Sequence, residues 1–328
     1  MIYEICSIAL ALVLTFLLIK LWITLAHRRG IVGQDIHKVG VAVAESGGIV
    51  TSCVFIFVCL LILLYESIFL KVTTDIAFIF AICISILLAT MLGFTDDILG
   101  WKIGLNQVSK FVLSFLICLP MMIINLGVSS MHFPIIGRVD LGIYYPLIMI
   151  PLIMMFTTNI FNTLGGFNGL ESSMGILIVG ALSFFSYHVG HTYLAYIGGL
   201  YVVIMIAFYY FNMFPASIFP GDSFTYSTGA MIGILAILGN IETIAGIILI
   251  PYFIEAVLKL RGGLKKESFG QLYDDGSIRN RYDKWYGIEH IAISLNNKLF
   301  KRTTEWSIVF TIMFFEICCI AVSVIAYG

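Results

Sequence analysis

The segment Asn159–Glu171 reads NIFNTLGGFNGLE, and its setting decides how the chain folds. An uninterrupted apolar run, Tyr145–Phe156, leads into it, and a second apolar run begins behind it at Met174. Asn159 and Asn162 stand three apart, so on a helix they share one face. Gly165, Gly166 and Gly169 then let the backbone turn tightly and approach a ligand. Carboxamides and a carboxylate at the mouth of a hydrocarbon slab are costly unless something pairs or uses them. The segment reads as a polar loop between two membrane helices, and as a site.

The rest of the chain agrees with a membrane setting. Of its 328 residues, 60% are hydrophobic and 11% charged, and the mean hydropathy is +1.03. A soluble domain carries roughly a quarter charged residues, so the expected fold class is an all-α polytopic membrane protein, one domain over residues 1–328. Crossing the hydrocarbon takes ~20 apolar residues. By that measure ten spans are predicted, at 3–26, 48–69, 76–94, 107–127, 143–161, 173–189, 192–211, 223–239, 241–259 and 305–327. The first run, Ile5–Ala26, exceeds the ~7–15 residues of a signal-peptide core and lacks a small-residue cleavage site, so it reads as a retained span. All seven cysteines lie in apolar runs without a CxxC, which implies neither a disulfide frame nor a zinc site.

Ten spans place both termini on one side, and the basic residues choose it. One set of loops carries fifteen, from Arg28 and Arg29 through Lys102 and Lys110 to Lys301 and Arg302; the other carries only Lys71 and Arg138. The positive-inside rule makes the first set cytoplasmic and both termini external. The cytoplasmic face then holds the Asn/Gly segment, His27–Gly47, Phe94–Asn106, Asn212–Asp222 and a long polar stretch, 259–304. On the outer face, FPIIGRVDLG reads as a hairpin around Gly137.

Several short motifs face that cytoplasmic side. FTDDILG (Phe94–Gly100) sets Asp96 and Asp97 at a membrane boundary, where the plain alternative is a solvated helix end. FPGDS brings Asp222 to the start of a span, as an ordinary helix N-cap or as a hard oxygen ligand for Mg²⁺. Glu45 lies before the second span, with Asp35, His37 and Lys38 upstream. Lys110 is either a snorkelling lysine or a phosphate holder beside the carboxylates. Arg261, Lys265 and Lys266 in RGGLKK suit a diphosphate or a sugar. Beyond them a hairpin is expected about Asp275-Gly276, then an amphipathic helix with Ile288, Ile291, Ala292, Leu295 and Leu299 on one face, lying on the inner leaflet with Lys298, Lys301 and Arg302 nearby. Glu316, in the middle of the last span, is expected to be protonated and hydrogen-bonded inside the bundle. Hard oxygens, cations and glycine loops on one face form the inventory for Mg²⁺-assisted phosphoryl transfer.

Taken together, GFTDDILG, NIFNTLGGFNGLE and FPGDSFTYSTGAM resemble the three main motifs of the polyprenyl-phosphate N-acetylhexosamine-1-phosphate transferases, in the right order and with the ten-span layout. Within that family the chain is most similar to the archaeal and eukaryotic UDP-GlcNAc:dolichyl-phosphate GlcNAc-1-phosphate transferases. It has their GGFNGLE ending, whereas bacterial members carry a DG-x-DG form and a histidine-rich last-loop motif. RGGLKK departs from both patterns, replacing the arginine-histidine run of the eukaryotic enzymes. The resemblance implies Mg²⁺, or Mn²⁺, held by Asn162 and Asp222. It implies a catalytic role for Asp96, Asp97 and Lys110, with Lys102 as the alternative lysine. Substrate contacts would come from Glu45, Asn159, Gly166, Asn168 and Glu171, with Gly166 and Asn168 on the uridine. Arg261, Lys265 and Lys266 would form a sugar-recognition loop. The implied partners are UDP-GlcNAc, a polyprenyl or dolichyl phosphate and membrane lipid, without nucleic acid; a homodimer stays open. Another UDP-N-acetylhexosamine or undecaprenyl phosphate is the alternative within the family. The rival from another class is a transporter, whose site would lie at mid-membrane between broken helices; here the polar residues gather at one face and no inverted repeat shows. A CDP-alcohol phosphatidyltransferase would need a multi-aspartate run with an Ala-Arg pair, which is missing.

Overall fold

The computed structural model describes residues 2–38, 40–71, 76–100, 104–125, 130–133, 137–300 and 302–328. Lys102 and Lys301 lie outside the described residues, as do the tip of the outer hairpin and the side chains of His132 and Arg138.

In chain order the elements are α1 (Ile2–Arg29), β1 (Val32–Gln34), β2 (Ala42–Ala44), α2 (Gly48–Tyr65) continued by a π-helical turn Glu66–Leu70, α3 (Ile76–Leu99) and α4 (Gln107–Ile124). Then come β3 (Ser130–Phe133), β4 (Gly137–Asp140), a π-helical turn Tyr145–Met149 running into α5 (Ile150–Phe161), α6 (Leu170–His188), α7 (Thr192–Asn212) and α8 (Gly221–Leu238). The chain closes with α9 (Glu242–Ile248), α10 (Ile250–Arg261), β5 (Gln271–Leu272), β6 (Ile278–Arg279), α11 (Ile288–Leu299) and α12 (Glu305–Tyr327). This is a multi-pass, all-α membrane protein. Both expected hairpins are present, β3–β4 pairing Ser130 with Asp140 and β5–β6 pairing Gln271 with Arg279. A third, β1–β2, pairs Val32 with Ala44 and was not foreseen. Its strands are three residues long, too short for alternation to register.

Among the described residues, seven helices are long and apolar enough to cross a membrane, eight if α9 and α10 count as one broken span. The expected ten is therefore not reached on length and composition alone. The two remaining segments differ for physical reasons. Tyr145–Phe161 is a shorter apolar helix. The polar first half of α8, with Asp222, Ser223, Thr225, Ser227 and Thr228, lowers its hydropathy, and it tolerates this because every residue from Ser223 to Ile237 is buried among other helices. The span expected over 241–259 is bent by 59° between α9 and α10. Pro251, in the first turn of α10, has no N–H to continue the ladder, which accounts for the break.

α8 is the axis of the bundle. Gly93 of α3 lets the two backbones touch, because a methyl there would overlap the backbone of Asp222 and Ser223. This contact brings the DD motif of α3 to the N-terminus of α8. α11 buries Ile288, Ala292, Ile293 and Asn296, and Asn296 donates to Thr311 of α12 at 2.8 Å. Leu295 and Leu299 stay exposed. The amphipathic helix thus divides its apolar residues between the bundle and the outside.

Candidate functional site

The N-terminus of α8 is fixed from two sides. Ahead of it, Phe219 N–H donates to Ala44 O at 2.7 Å, and Gly47 and Gly48 donate back to Phe219 O and Pro220 O, both at 3.0 Å. That short pairing ties the first loop to the segment before α8 and sets Glu45 beside Asp222. From the other side, Asp97 Oδ1 accepts the N–H of Asp222 at 2.6 Å, and Oδ2 accepts that of Ser223 at 3.3 Å. The cap residue of α8 is Pro220, and no side chain of α8 caps it. Asp222 is therefore not the ordinary N-cap; Asp97, from α3, satisfies the orphan N–H groups.

With the cap supplied elsewhere, the Asp222 side chain is available to the site. Lys110 Nζ lies 2.6 Å from Asp222 Oδ2 and 2.5 Å from Asp96 Oδ2, so one ammonium bridges two carboxylates. Asp96 Oδ1 also accepts Leu105 N–H at 2.5 Å. Asn162, at the C-terminus of α5, donates from Nδ2 to Asp222 Oδ2 at 3.2 Å, while Thr225 Oγ1 donates to Asn162 Oδ1 at 2.7 Å. One turn earlier, Asn159 donates to Ser114 Oγ at 3.0 Å and accepts from Tyr226 at 3.4 Å. Burial, and then the charge of Asp222, push the Glu45 carboxyl above its ordinary range.

The glycine loop forms the opposite wall. Gly166 has φ +91°, and a side chain there would run into the ring of Phe269, so only glycine fits. Its N–H donates to Glu171 Oε1 at 3.2 Å. Asn168 Nδ2 donates to Asp35 Oδ2 at 3.1 Å and to Glu305 Oε2 at 2.8 Å, and its N–H also reaches Glu305 Oε2 at 3.2 Å. Burial acts to raise Asp35, but hydrogen bonds from Lys38, Asn168 and the His37 N–H outweigh it and hold that carboxyl below its usual range. His37 stacks on Phe167 with ring centres 4.9 Å apart, and burial holds it below an ordinary imidazole.

Between these walls lies a cavity of about 1020 Å³, lined among others by Glu45, Asp97, Asn162, Gly166, Asn168, Glu171 and Asp222. Asp96, Lys110 and Asn159 are outside the lining and attach to it from behind. Arg261, Lys265 and Lys266 are exposed and do not line the cavity; Lys266 Nζ sits 4.7 Å over the ring of Tyr282. Glu316 is buried as expected, yet neither carboxylate oxygen has a hydrogen-bond partner among the described residues. The expected hydrogen bond is therefore not made.

Two groups of donors could hold a cation. Asp35, His37 and Glu305 bring ligand atoms within 4.8 Å of one another. There, however, the Lys38 ammonium lies 2.8 Å from Asp35 and the Asn168 amide covers both carboxylates, so their lone pairs are already used. Asp222 and Asn162 line the cavity and carry hard oxygens of the kind that suits Mg²⁺. Lys110 and the Asn162 amide engage Asp222 Oδ2, and Thr225 engages Asn162 Oδ1. An ion would therefore meet Asp222 through Oδ1 and Asn162 through the second lone pair of its oxygen. Sequence reasoning missed Glu305 as a site residue, because 137 positions separate it from Asn168 and it reads as the first turn of a span. Thr225 was also missed, although it lies inside the quoted FPGDSFTYSTG motif.

The sequence profile of glycosyl transferase family 4 matches residues 79–240. A protein of Saccharolobus solfataricus is 35% identical over 248 residues, covering 75% of this chain and 74% of that protein. One of Sulfolobus acidocaldarius is 31% identical over 278 residues, covering 83% and 82%. Both are named, provisionally, UDP-N-acetylglucosamine–dolichyl-phosphate N-acetylglucosaminephosphotransferases. A Dictyostelium discoideum protein bearing that name without qualification is 27% identical over 282 residues, covering 73% and 67%.

Proposed function

Since the chain belongs to glycosyl transferase family 4, we propose that it transfers GlcNAc-1-phosphate from UDP-GlcNAc to a polyprenyl phosphate of the dolichyl type. The products are polyprenyl-diphosphate-GlcNAc and UMP. The observation that carries this reading is the convergence of Asp222 and Asn162 on one wall of a cavity between the glycine loop and the first loop, with Asp96 and Lys110 joined to Asp222 from behind that wall. A phosphate oxygen of the lipid attacks the β-phosphorus. The bond from that phosphorus to the bridging oxygen breaks, and UMP leaves with the electron pair.

Each residue has a part in that step. Asp222 and Asn162 would hold Mg²⁺, which when bound neutralises charge on the diphosphate. Lys110 holds Asp222 in place and adds positive charge beside the phosphates. Asp97 borders the cavity with both oxygens on backbone N–H groups, and Asp96 stands behind the wall on Leu105 N–H and Lys110. Asp97 would therefore act by building the N-terminus of α8, and Asp96 by fixing Lys110. Gly166 and Asn168 meet the nucleoside, and Glu45 borders the diphosphate. The excess of basic residues on one set of loops supports a cytoplasmic site with both termini outside.

The test is to incubate membranes with sugar-labelled UDP-GlcNAc and polyprenyl phosphate. Label should enter the organic phase as a diphosphate-linked lipid, and retention of all label in water would overturn the reading. A second reading has some support: a phospho-N-acetylmuramoyl-pentapeptide-transferase of Clostridium perfringens is 30% identical over 177 residues, half of this chain. Another UDP-N-acetylhexosamine in place of UDP-GlcNAc is therefore the alternative substrate.

A further inference from the structure

We propose that Glu305 and Asp35 are positioning residues that lock the Asn168 amide with its oxygen toward the nucleotide, and so set which pyrimidine base is accepted. This rests on the reading that a nucleoside-diphosphate sugar occupies the cavity.

The lock follows from donor and acceptor counting. A carboxamide has one oxygen acceptor and one NH₂ donor, and the two look alike in shape. At Asn168 the ambiguity is removed by chemistry, because two carboxylates stand on one side of the amide. Asp35 Oδ2 at 3.1 Å and Glu305 Oε2 at 2.8 Å can only accept, so the NH₂ must face them. Glu305 Oε2 also accepts the Asn168 backbone N–H at 3.2 Å, which fixes the side chain against its own main chain. The amide oxygen is left on the other side. It is buried and has no partner among the described residues, in a residue that lines the cavity. A buried acceptor without a partner is rare and costly unless a ligand donor meets it.

The clamp is itself held. Lys38 lies 2.8 Å from Asp35 Oδ2, and the His37 N–H donates to Asp35 Oδ1 at 3.0 Å. His37 Nδ1 is 3.5 Å from Glu305 Oε1, and its ring stacks on Phe167, next to Asn168. The first loop and the first turn of α12 thus grip one side chain of the glycine loop.

A fixed acceptor chooses between pyrimidines. Uracil offers an N3–H donor, whereas cytosine has a bare N3 acceptor at the same position. Asn168 Oδ1 accepts from the first and repels the second. Without the carboxylates, the amide can turn over and offer its NH₂ to cytosine, so discrimination falls.

Binding of UDP and of CDP to the purified full-length protein, with Mg²⁺ present and no lipid, reads this directly. The wild-type protein should prefer UDP. Glu305→Ala and Asp35→Ala should each reduce the UDP:CDP preference, by about tenfold for Glu305→Ala. Glu305→Gln, which keeps a carbonyl acceptor, should retain it. The two nucleotides share ribose and diphosphate, so general loosening of the site would weaken both alike and leave the ratio unmoved. If Glu305→Ala does not fold, Glu305→Asp, with its acceptor withdrawn by one methylene, gives the same contrast. An unchanged ratio in folded Glu305 and Asp35 variants, with the ratio lost in Asn168→Ala, would overturn the clamp and leave Asn168 as the base contact. A ratio unchanged in Asn168→Ala would remove the base contact, and the clamp with it. Failure of the wild-type protein to bind either nucleotide would instead sink the reading of the cavity.

Discussion

Asp97, in the last turn of α3, accepts the backbone N–H of Asp222 at 2.6 Å and so caps a helix to which it does not belong. The two acids of the DD motif therefore have different work. Asp97 builds the N-terminus of α8, and Asp96 shares Lys110 with the side chain of Asp222.

Their variants should differ accordingly. Asp97→Ala orphans two N–H groups in the first turn of α8 and should cost about 1–2 kcal/mol of stability, as loss of a cap does. Its melting temperature should fall by several degrees, and transfer should fall with it. Asp222→Ala should melt close to the wild type and lose transfer. Equal melting temperatures for Asp97→Ala and the wild type would remove the capping role.

Chelation should abolish turnover, and Mg²⁺, or Mn²⁺ in its place, should restore it. Asn162→Ala should raise the Mg²⁺ concentration needed for half-maximal activity. Full activity in excess EDTA would show that Asp222 and Asn162 serve no metal.

Lys110→Met leaves Asp96 and Asp222 facing each other without a cation between them. Removing a preorganised charge of this kind should lower kcat by roughly 10²–10³-fold. Lys110→Arg should recover part of the loss. A change in KM for UDP-GlcNAc with kcat untouched would mean that Lys110 only binds substrate.

Stability should fall on acidification through the range set by His290. Burial, and then the charges of Lys259 and Arg281, hold this imidazole down to about 4, so the folded protein keeps it neutral. Unfolded, it titrates near 6.5. Between those values the unfolded chain binds more protons, so stability is complete above about pH 6.5 and is lost as pH falls toward 4. Melting curves of the wild type and His290→Asn from pH 7.5 to 4.5 check this. The variant should show a shallower acid slope, and parallel slopes would contradict the assignment.

A tag at Gly328 should react with an impermeant reagent in intact cells. Reaction only after permeabilisation would invert the topology drawn from the basic loops.

Much of the fold could be read in the chain because a membrane imposes its own spacing: apolar runs of span length separate the polar loops. α8 lies at Gly221–Leu238, where a span was expected over 223–239, although its buried polar half keeps its hydropathy low. The broken α9–α10 pair resisted that reading, because a single proline outweighs an otherwise apolar window. At the site, the conspicuous groups Asp96, Asp222, Asn162 and Lys110 could be picked out by type and loop position. Their division of labour could not, since it depends on Gly93 letting α3 touch α8. Asp35 and Glu305 were harder still: each is an ordinary acid beside a hairpin or at a helix start until tertiary structure brings both to Asn168.

Phosphoglycosyl transfer is distinguished from simple glycosyl transfer by which bond breaks. UDP-GlcNAc labelled with ³²P at the β-phosphorus, mixed with polyprenyl phosphate and the purified protein, tests it most directly. Label should pass into the lipid while UMP accumulates in equal amount. Release of labelled UDP, with sugar but no label on the lipid, would contradict phosphoglycosyl transfer and identify a simple glycosyl transfer instead.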